Sequence, residues 1–385
     1  MLTKNNFNPQ CITYSQMNLI FNARIYYRRL TTWTRAYIIS RYYGIGTAED
    51  QFERLYLESL DIGNMLQIIF GREYSEQYSQ LLSQYAIAFR DLLSAQIEGD
   101  IEAINHNVDR LYKNVEERAV FLEAINPYWS AAEYKSLFDT YIQHTIEIAN
   151  AIASEDFSRD IELYDMLNAH TNTMGDTFAY GLYDYITSGG SSQNTDTFQP
   201  QGNVPCITYE QMNDIYIMSM LWFELVTWVR SYMLSRYIGI GNEDEVYAKL
   251  KEVPVEYVHI IKKYFEDVVV EDYLQLFYDY IELIDAFITA MMEGNVDELN
   301  QITRSLYQNA DERAAFVASI NPFWDLEGGR NRLYTNLRST IEESTTFLTG
   351  DYARNIDIFT RLIDQAENTI TFLSQGLFNY IIYNQ

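Results

Sequence analysis

Residues 11–186 and 206–381 carry one pattern twice, at a constant offset of 195 and without a gap. Cys11-Ile-Thr-Tyr-x-Gln-Met-Asn18 returns as Cys206-Ile-Thr-Tyr-x-Gln-Met-Asn213. Trp33-x-Arg35-x-Tyr37 returns as Trp228-x-Arg230-x-Tyr232, and Gly44-Ile-Gly46 as Gly239-Ile-Gly241. Glu117-Arg118-Ala119 with Ile125-Asn126-Pro127-x-Trp129 returns as Glu312-Arg313-Ala314 with Ile320-Asn321-Pro322-x-Trp324. Just under a third of the aligned positions are identical. Such a duplication requires each copy to be a self-consistent unit, and it makes each copy a control on the other. Chemistry shared by both copies must be written in both.

Each copy is long enough to bury its own core, since domains run to about 50–250 residues. The 385-residue chain has 27 Lys and Arg against 54 Asp and Glu, a net charge of −27. Phosphate backbones need clustered basic residues, so nucleic acid is excluded as a partner, and anionic membrane surfaces are disfavoured. The same charge resists close packing of copies unless cations or acid neutralise it. The chain holds 33 Tyr and 20 Phe. Tyrosine buries a ring while its hydroxyl still reaches water or a partner, which suits helix interfaces and self-association surfaces alike. The first residues lack the apolar core of a signal peptide, and no stretch approaches the roughly 18–20 apolar residues of a membrane span. The expected location is the cytoplasm, with a mother cell or spore as the specialised setting. Cys11 and Cys206 are too few for a disulfide scaffold or a thiolate metal site. They precede equivalent helices, which leaves two readings: paired reduced thiols, or a Cys11–Cys206 bridge within or between chains.

Helical spacing dominates the pattern. Leu81, Tyr85, Ala88, Leu92 and Ala95 recur at three- and four-residue steps, as do Leu276, Tyr280, Leu283, Phe287 and Ala290. Helices are expected over 14–43, 74–98, 101–124, 131–154 and 157–187, with weaker helical turns over 48–71 where the copies diverge most. Copy 2 follows at the same offset. Most of the six prolines sit between periodic segments. The reading is all-α: two tandem antiparallel four-helix-type bundles, each with an extra short helix, related by pseudo-twofold symmetry. The units are 1–187 and 206–385, joined by a flexible Gly/Ser-containing linker over 188–205.

Trp33 and Arg35 lie about 200° apart around a helix, so they face different neighbours. Trp33 and Trp228 are expected to anchor the core. Arg35 and Arg230 are expected to reach carboxylates on another helix, with Glu147 and Glu342 as the partners because both copies keep Thr-Ile-Glu there; such pairs set register rather than perform chemistry. Asn126-Pro127-Tyr-Trp129 and Asn321-Pro322-Phe-Trp324 read as a helix stop, a rigid corner and an aromatic plug. The Gly-Ile-Gly elements lack the strand and third glycine of a phosphate loop and read as left-handed helix ends. No nucleophile elbow and no His-Glu-x-x-His are present. The one constellation with metal-ligand spacing is His144 and Glu147 on one helical face, with Asp160 and Asp165 on the next helix. Copy 2 keeps only Glu342 of these, the others being Ser339, Asn355 and Thr360.

The blocks Trp33-Thr-Arg35, Gly99-Asp100, Ile125-Asn-Pro-Tyr-Trp129 and Asp156-Phe157 resemble those of Firmicute helical-bundle proteins of unknown function. That group is ferritin- or hemerythrin-like and often mislabelled acetylglutamate kinase. The resemblance implies inward histidines on the first, second and fourth helices. The matching positions here are Leu30, Tyr85 and Tyr141 in copy 1, and Leu225, Tyr280 and Asn336 in copy 2, so every imidazole is missing. Tyr85, Tyr141 and Tyr280 are therefore expected to be buried, with hydroxyls satisfied by inward groups such as Glu147.

The functional expectation is a non-enzymatic, structural or self-assembling protein without a cofactor or a metal, associating with itself and with divalent cations at its acidic surface. A metal-binding bundle using the carboxylates of copy 1 is the alternative, and a binding module for a cationic partner the second.

Overall fold

The computed structural model describes residues 7–46, 48–188, 204–265 and 270–384. The greater part of the expected linker, residues 189–203, lies outside the described residues. The protein is all-α, with twelve helices among the described residues. The chain divides into two compact units, Met1–Val204 and Pro205–Gln385.

Unit 1 opens with a two-residue extended segment, β1 (Ile12–Thr13), and then α1 (Tyr14–Tyr43). The start of α1 is written in the repeat motif. Thr13 Oγ1 accepts from Gln16 N while Gln16 Oε1 accepts from Thr13 N at 2.7 Å, a reciprocal cap that satisfies two otherwise orphaned backbone donors. Gly44 ends the helix with φ +67°, the left-handed geometry that a side chain would resist. The helices α2 (Ala48–Phe70), α3 (Arg72–Glu98), α4 (Ile101–Ile125), α5 (Ala131–Ala153) and α6 (Phe157–Thr187) follow. Each packs on the next, and α1 packs against α2, α3, α5 and α6. An unbroken buried run from Tyr27 to Arg35 shows α1 enclosed on every side, which an amphipathic stripe could not produce.

Unit 2 repeats this order with β2 (Cys206–Ile207), α7 (Tyr209–Ile238), α8 (Glu243–Tyr264), α9 (Val270–Glu293), α10 (Val296–Ile320), α11 (Leu326–Thr349) and α12 (Tyr352–Tyr383). Thr208 and Gln211 form the same reciprocal cap, and Leu225–Ser235 of the central helix α7 is buried without interruption.

The expected short connecting helix is in fact a full-length one in each unit. α2 has 23 residues and α8 has 22. Leu55, Ile62 and Leu66 of α2, and Leu250, Tyr257 and Ile261 of α8, are buried at seven- and four-residue steps. Gly63 and Pro254 lie within these helices and blur the pattern, because both residue types ordinarily weaken a helix interior. Among the described residues the other helices number five in each unit rather than the four of the expected bundle, so each unit is a six-helix bundle around a central first helix.

The Asn-Pro-x-Trp corner is built identically in both units. Asn126 Nδ2 donates to Gly181 O at 2.9 Å and its Oδ1 accepts from Tyr128 N at 3.0 Å. Asn321 repeats both bonds with Gly376 O at 3.1 Å and Phe323 N at 2.9 Å. Pro127 and Pro322 stand exposed at the turn, while Trp129 and Trp324 are buried and donate Nε1–H to Phe178 O and Leu373 O. A β-carbon on Gly181 or Gly376 would overlap the facing indole. Glycine is there for the close approach of helix to tryptophan.

Candidate functional site

The four residues with metal-ligand spacing, His144, Glu147, Asp160 and Asp165, are not gathered into one group. Asp160 Oδ2 accepts from Arg35 Nη2 at 2.5 Å and is buried with it. His144 Nδ1 lies 3.5 Å from Glu147 Oε2, and the His144 ring meets that of His170 at 6.5 Å. Asp165 is exposed. Among the described residues no three His, Cys, Asp or Glu side chains stand together as metal ligands would.

Arg35 and Arg230 do face carboxylates, but not the expected ones. Arg35 of α1 takes Asp160 at the start of α6, and Arg230 of α7 takes Glu343 of α11. Glu147 instead accepts from Gln143 Nε2 at 2.9 Å, one turn earlier on its own helix. Glu342 points outward to Arg354 and Arg361, both at 2.6 Å. Neighbouring residues on a helix differ by about 100° in direction, and that step separates the inward Glu343 from the outward Glu342. Two further buried pairs in unit 1 were not legible. Arg24 binds Asp176 through two bonds of 2.6 and 2.9 Å, and Arg29 binds Glu58 through two of 2.8 and 2.9 Å. Ser219 and Glu224 stand at the equivalent positions of α7. Both cysteines are in the disulfide state.

Leu30, Tyr85, Tyr141, Leu225, Tyr280 and Asn336 are all interior. The expected pairing of their hydroxyls with Glu147 does not form. The hydroxyls of Tyr85 and Tyr141, with those of Tyr27, Tyr78 and Tyr134, lie buried without a well-formed hydrogen bond. Burial pushes the phenols of Tyr27, Tyr85 and Tyr134 well above their ordinary range, and that of Tyr78 up to about 12. Arg118 opposes the rise at Tyr78 and Tyr85 but does not overcome it.

Arg118 and its counterpart Arg313 are the unusual groups. They are 4% and 3% exposed. Arg118 lies over the Phe138 ring at 4.2 Å and near Tyr85 at 5.3 Å, with Nε and Nη2 unpartnered. Arg313 lies over Tyr280 at 4.5 Å, donates Nε–H to Asn309 Oδ1 at 2.8 Å, and leaves Nη1 unpartnered. Among the described residues neither forms an ion pair. Burial lowers the pKa of Arg313, opposed only by Tyr280, Tyr273 and Tyr257, so its surroundings are phenols rather than carboxylates. Glu343, which bears on Tyr280, is already bonded to Arg230. A guanidinium stays protonated in proteins, so burial leaves it charged and short of a counter-charge. The sequence held one signal of this. Arg118 falls on the stripe of Leu111, Asn114 and Leu122, and both copies keep an Arg there within an apolar helix face.

No family model, no curated protein and no solved structure matches this chain. Among the described residues no helix is long and apolar enough to cross a membrane.

Proposed function

We propose that this chain is a non-enzymatic structural protein that associates with copies of itself inside the cell. The observation that carries the reading is an apolar corner repeated in both units. At the α3–α4 corner, Ile97 and Ile101 are 45% and 73% exposed, and at the α9–α10 corner Met292 and Val296 are 51% and 66% exposed. Gly99 and Gly294 turn the chain at φ +72° and +68°, and Asp100 and Asn295 cap the helices that follow. The copies have diverged at most positions, and the side chains themselves have changed, yet each corner keeps an apolar pair in water. Exposed apolar groups at equivalent places give every chain two attachment points, the minimum for extended assembly.

Carboxylates border both corners: Glu98, Asp100 and Glu102 in unit 1, Glu293, Asp297 and Glu298 in unit 2, all exposed. Corner-to-corner contact would bring them together, so association requires divalent cations or lowered pH. Size-exclusion chromatography with light scattering, with and without calcium, tests the reading. The wild-type chain is expected to exceed its 45.2 kDa monomer mass when calcium is present. Ile101→Glu with Val296→Glu is expected to remain monomeric. A wild-type chain that stays monomeric with calcium and at acid pH contradicts the proposal.

A further inference from the structure

Unit 2 contains a cavity of about 30 Å³ with Arg313 in its wall and Arg332, Tyr257, Tyr273, Trp222 and Thr369 around it. No Asp or Glu is among its lining residues, in a chain with twice as many acidic as basic side chains. Two guanidinium donors are left over beside it: Arg313 Nη1 and Arg332 Nε have no hydrogen-bond partner. Arg332 is itself held in place, its Nη1 donating to Gly328 O at 2.8 Å and its guanidinium resting on the Phe372 ring at 4.4 Å. Arg313 is deeply buried, whereas Arg332, Gly329 and Phe372 are half-buried and form the outer side.

Unit 1 shows what closes such a space. Tyr134 stands at the position of Gly329, and Leu137 at that of Arg332. Tyr134 is fully buried and packs against Trp129 and Phe138, with Tyr27 and Tyr78 acting on its phenol. Replacing that ring with a glycine opens room beside the buried arginine, and replacing the leucine supplies a second cation. A β-carbon on Gly329 would meet Ala314 Cβ at an ordinary 3.9 Å, so the glycine is not required by backbone crowding. Its consequence is the space itself.

We propose that the Arg313–Arg332 cavity of unit 2 binds one small monovalent anion of halide or nitrate size. The volume admits one or two water-sized spheres, which suits a bare halide or a planar nitrate and excludes an organic ligand. Charge-assisted bonds from two guanidinium groups, in a site of low dielectric, provide the counter-charge that the buried Arg313 otherwise lacks. The inference is independent of the self-association reading, since the cavity and the apolar corners share no residue.

The test is thermal unfolding of the full chain at constant ionic strength, with gluconate replaced stepwise by bromide, nitrate or sulfate. An anion bound only by the folded state raises the midpoint saturably, by roughly 5 °C at a hundredfold excess over its dissociation constant. Bromide and nitrate are expected to do so for the wild-type chain and for Gly329→Ala. Gly329→Tyr, which restores the side chain of unit 1, and Arg332→Leu are each expected to abolish the response. Crystals soaked in bromide supply a measurement that needs no variant, with an anomalous peak expected between Arg313 and Arg332. Absence of that peak, a rise of equal size in Gly329→Tyr and Arg332→Leu, or a response to sulfate alone would overturn the proposal.

Discussion

Arg230 on the central helix of unit 2 is ion-paired with Glu343 of α11, and both side chains are almost wholly buried. Burial raises the pKa of Glu343 and lowers that of Arg230 in spite of their mutual attraction. Desolvation therefore outweighs the Coulomb gain for each partner. The equivalent pair in unit 1, Arg35 with Asp160, uses a different helix, and Ile148 occupies the place of Glu343. The arginine is common to both units and the carboxylate is not.

Removal of one partner is expected to cost far more than removal of both. Glu343→Leu strands a buried guanidinium and is expected to lose about 3–5 kcal/mol. Arg230→Met combined with Glu343→Leu is expected to be neutral or stabilising, since an apolar pair carries no desolvation cost. Urea unfolding of the single and double variants checks this, read as a change in midpoint at constant slope.

Glu342, one residue earlier, behaves in the opposite way. Bonding to Arg354, with Arg361 adding to it, holds its carboxyl below the ordinary range. A carboxyl depressed in the folded state contributes stability above its unfolded pKa of about 4.3, and loses it as pH falls through the folded value. The site is solvent-screened, so Glu342→Gln is expected to cost no more than about 1 kcal/mol at neutral pH. That difference is expected to vanish in acid below the folded pKa, as measured by urea titrations at stepped pH.

Gly181 and Gly376 are expected to tolerate no side chain. Gly376→Ala drives a methyl into the Trp324 indole, and overpacking of this kind costs about 1–3 kcal/mol. Gly181→Ala is expected to act alike against Trp129. Near-ultraviolet circular dichroism will report the displaced indoles, and the urea midpoint will fall.

The buried tyrosines set the alkaline limit. Tyr78 and Tyr273 are pushed up to about 12, and Tyr27, Tyr85, Tyr134 and Tyr257 also lie well above their ordinary value, all chiefly by burial. A phenol whose folded pKa is raised contributes full stability below its unfolded pKa of about 10, and loses it as pH rises toward the folded value. Stability is therefore expected to fall steeply between about pH 10 and about 12, with phenolate absorbance appearing in two steps, exposed residues first and the rest on unfolding.

The repeat itself made most of the fold legible. Cys11 and Cys206 marked two helix starts, Gly44 and Gly239 two helix ends, and Asn-Pro-x-Trp two corners, because the repeat keeps these positions in both copies. Helices α2 and α8 were underestimated because Gly63 and Pro254 sit inside them, and only packing against α1 and α3, or α7 and α9, compensates for their weak propensity. The partners of Arg35 and Arg230 were misassigned by one direction of a helix face or by one helix. Nothing in a linear pattern distinguishes Glu343 from Glu342 as the inward residue. The arginine–tyrosine centres were present in the repeated Glu-Arg-Ala block, but their lack of a carboxylate is a property of three helices brought together.

Self-association is the central functional claim, and light scattering of concentrated protein from about pH 4 to about pH 11, with and without calcium, tests it most directly. Large particles are expected near the sequence pI of about 4.4, where the acidic surface is neutralised, and at neutral pH when calcium is added. They are expected to dissolve as phenolate charge accumulates above about pH 10. A particle of monomer mass under every one of these conditions would contradict the account.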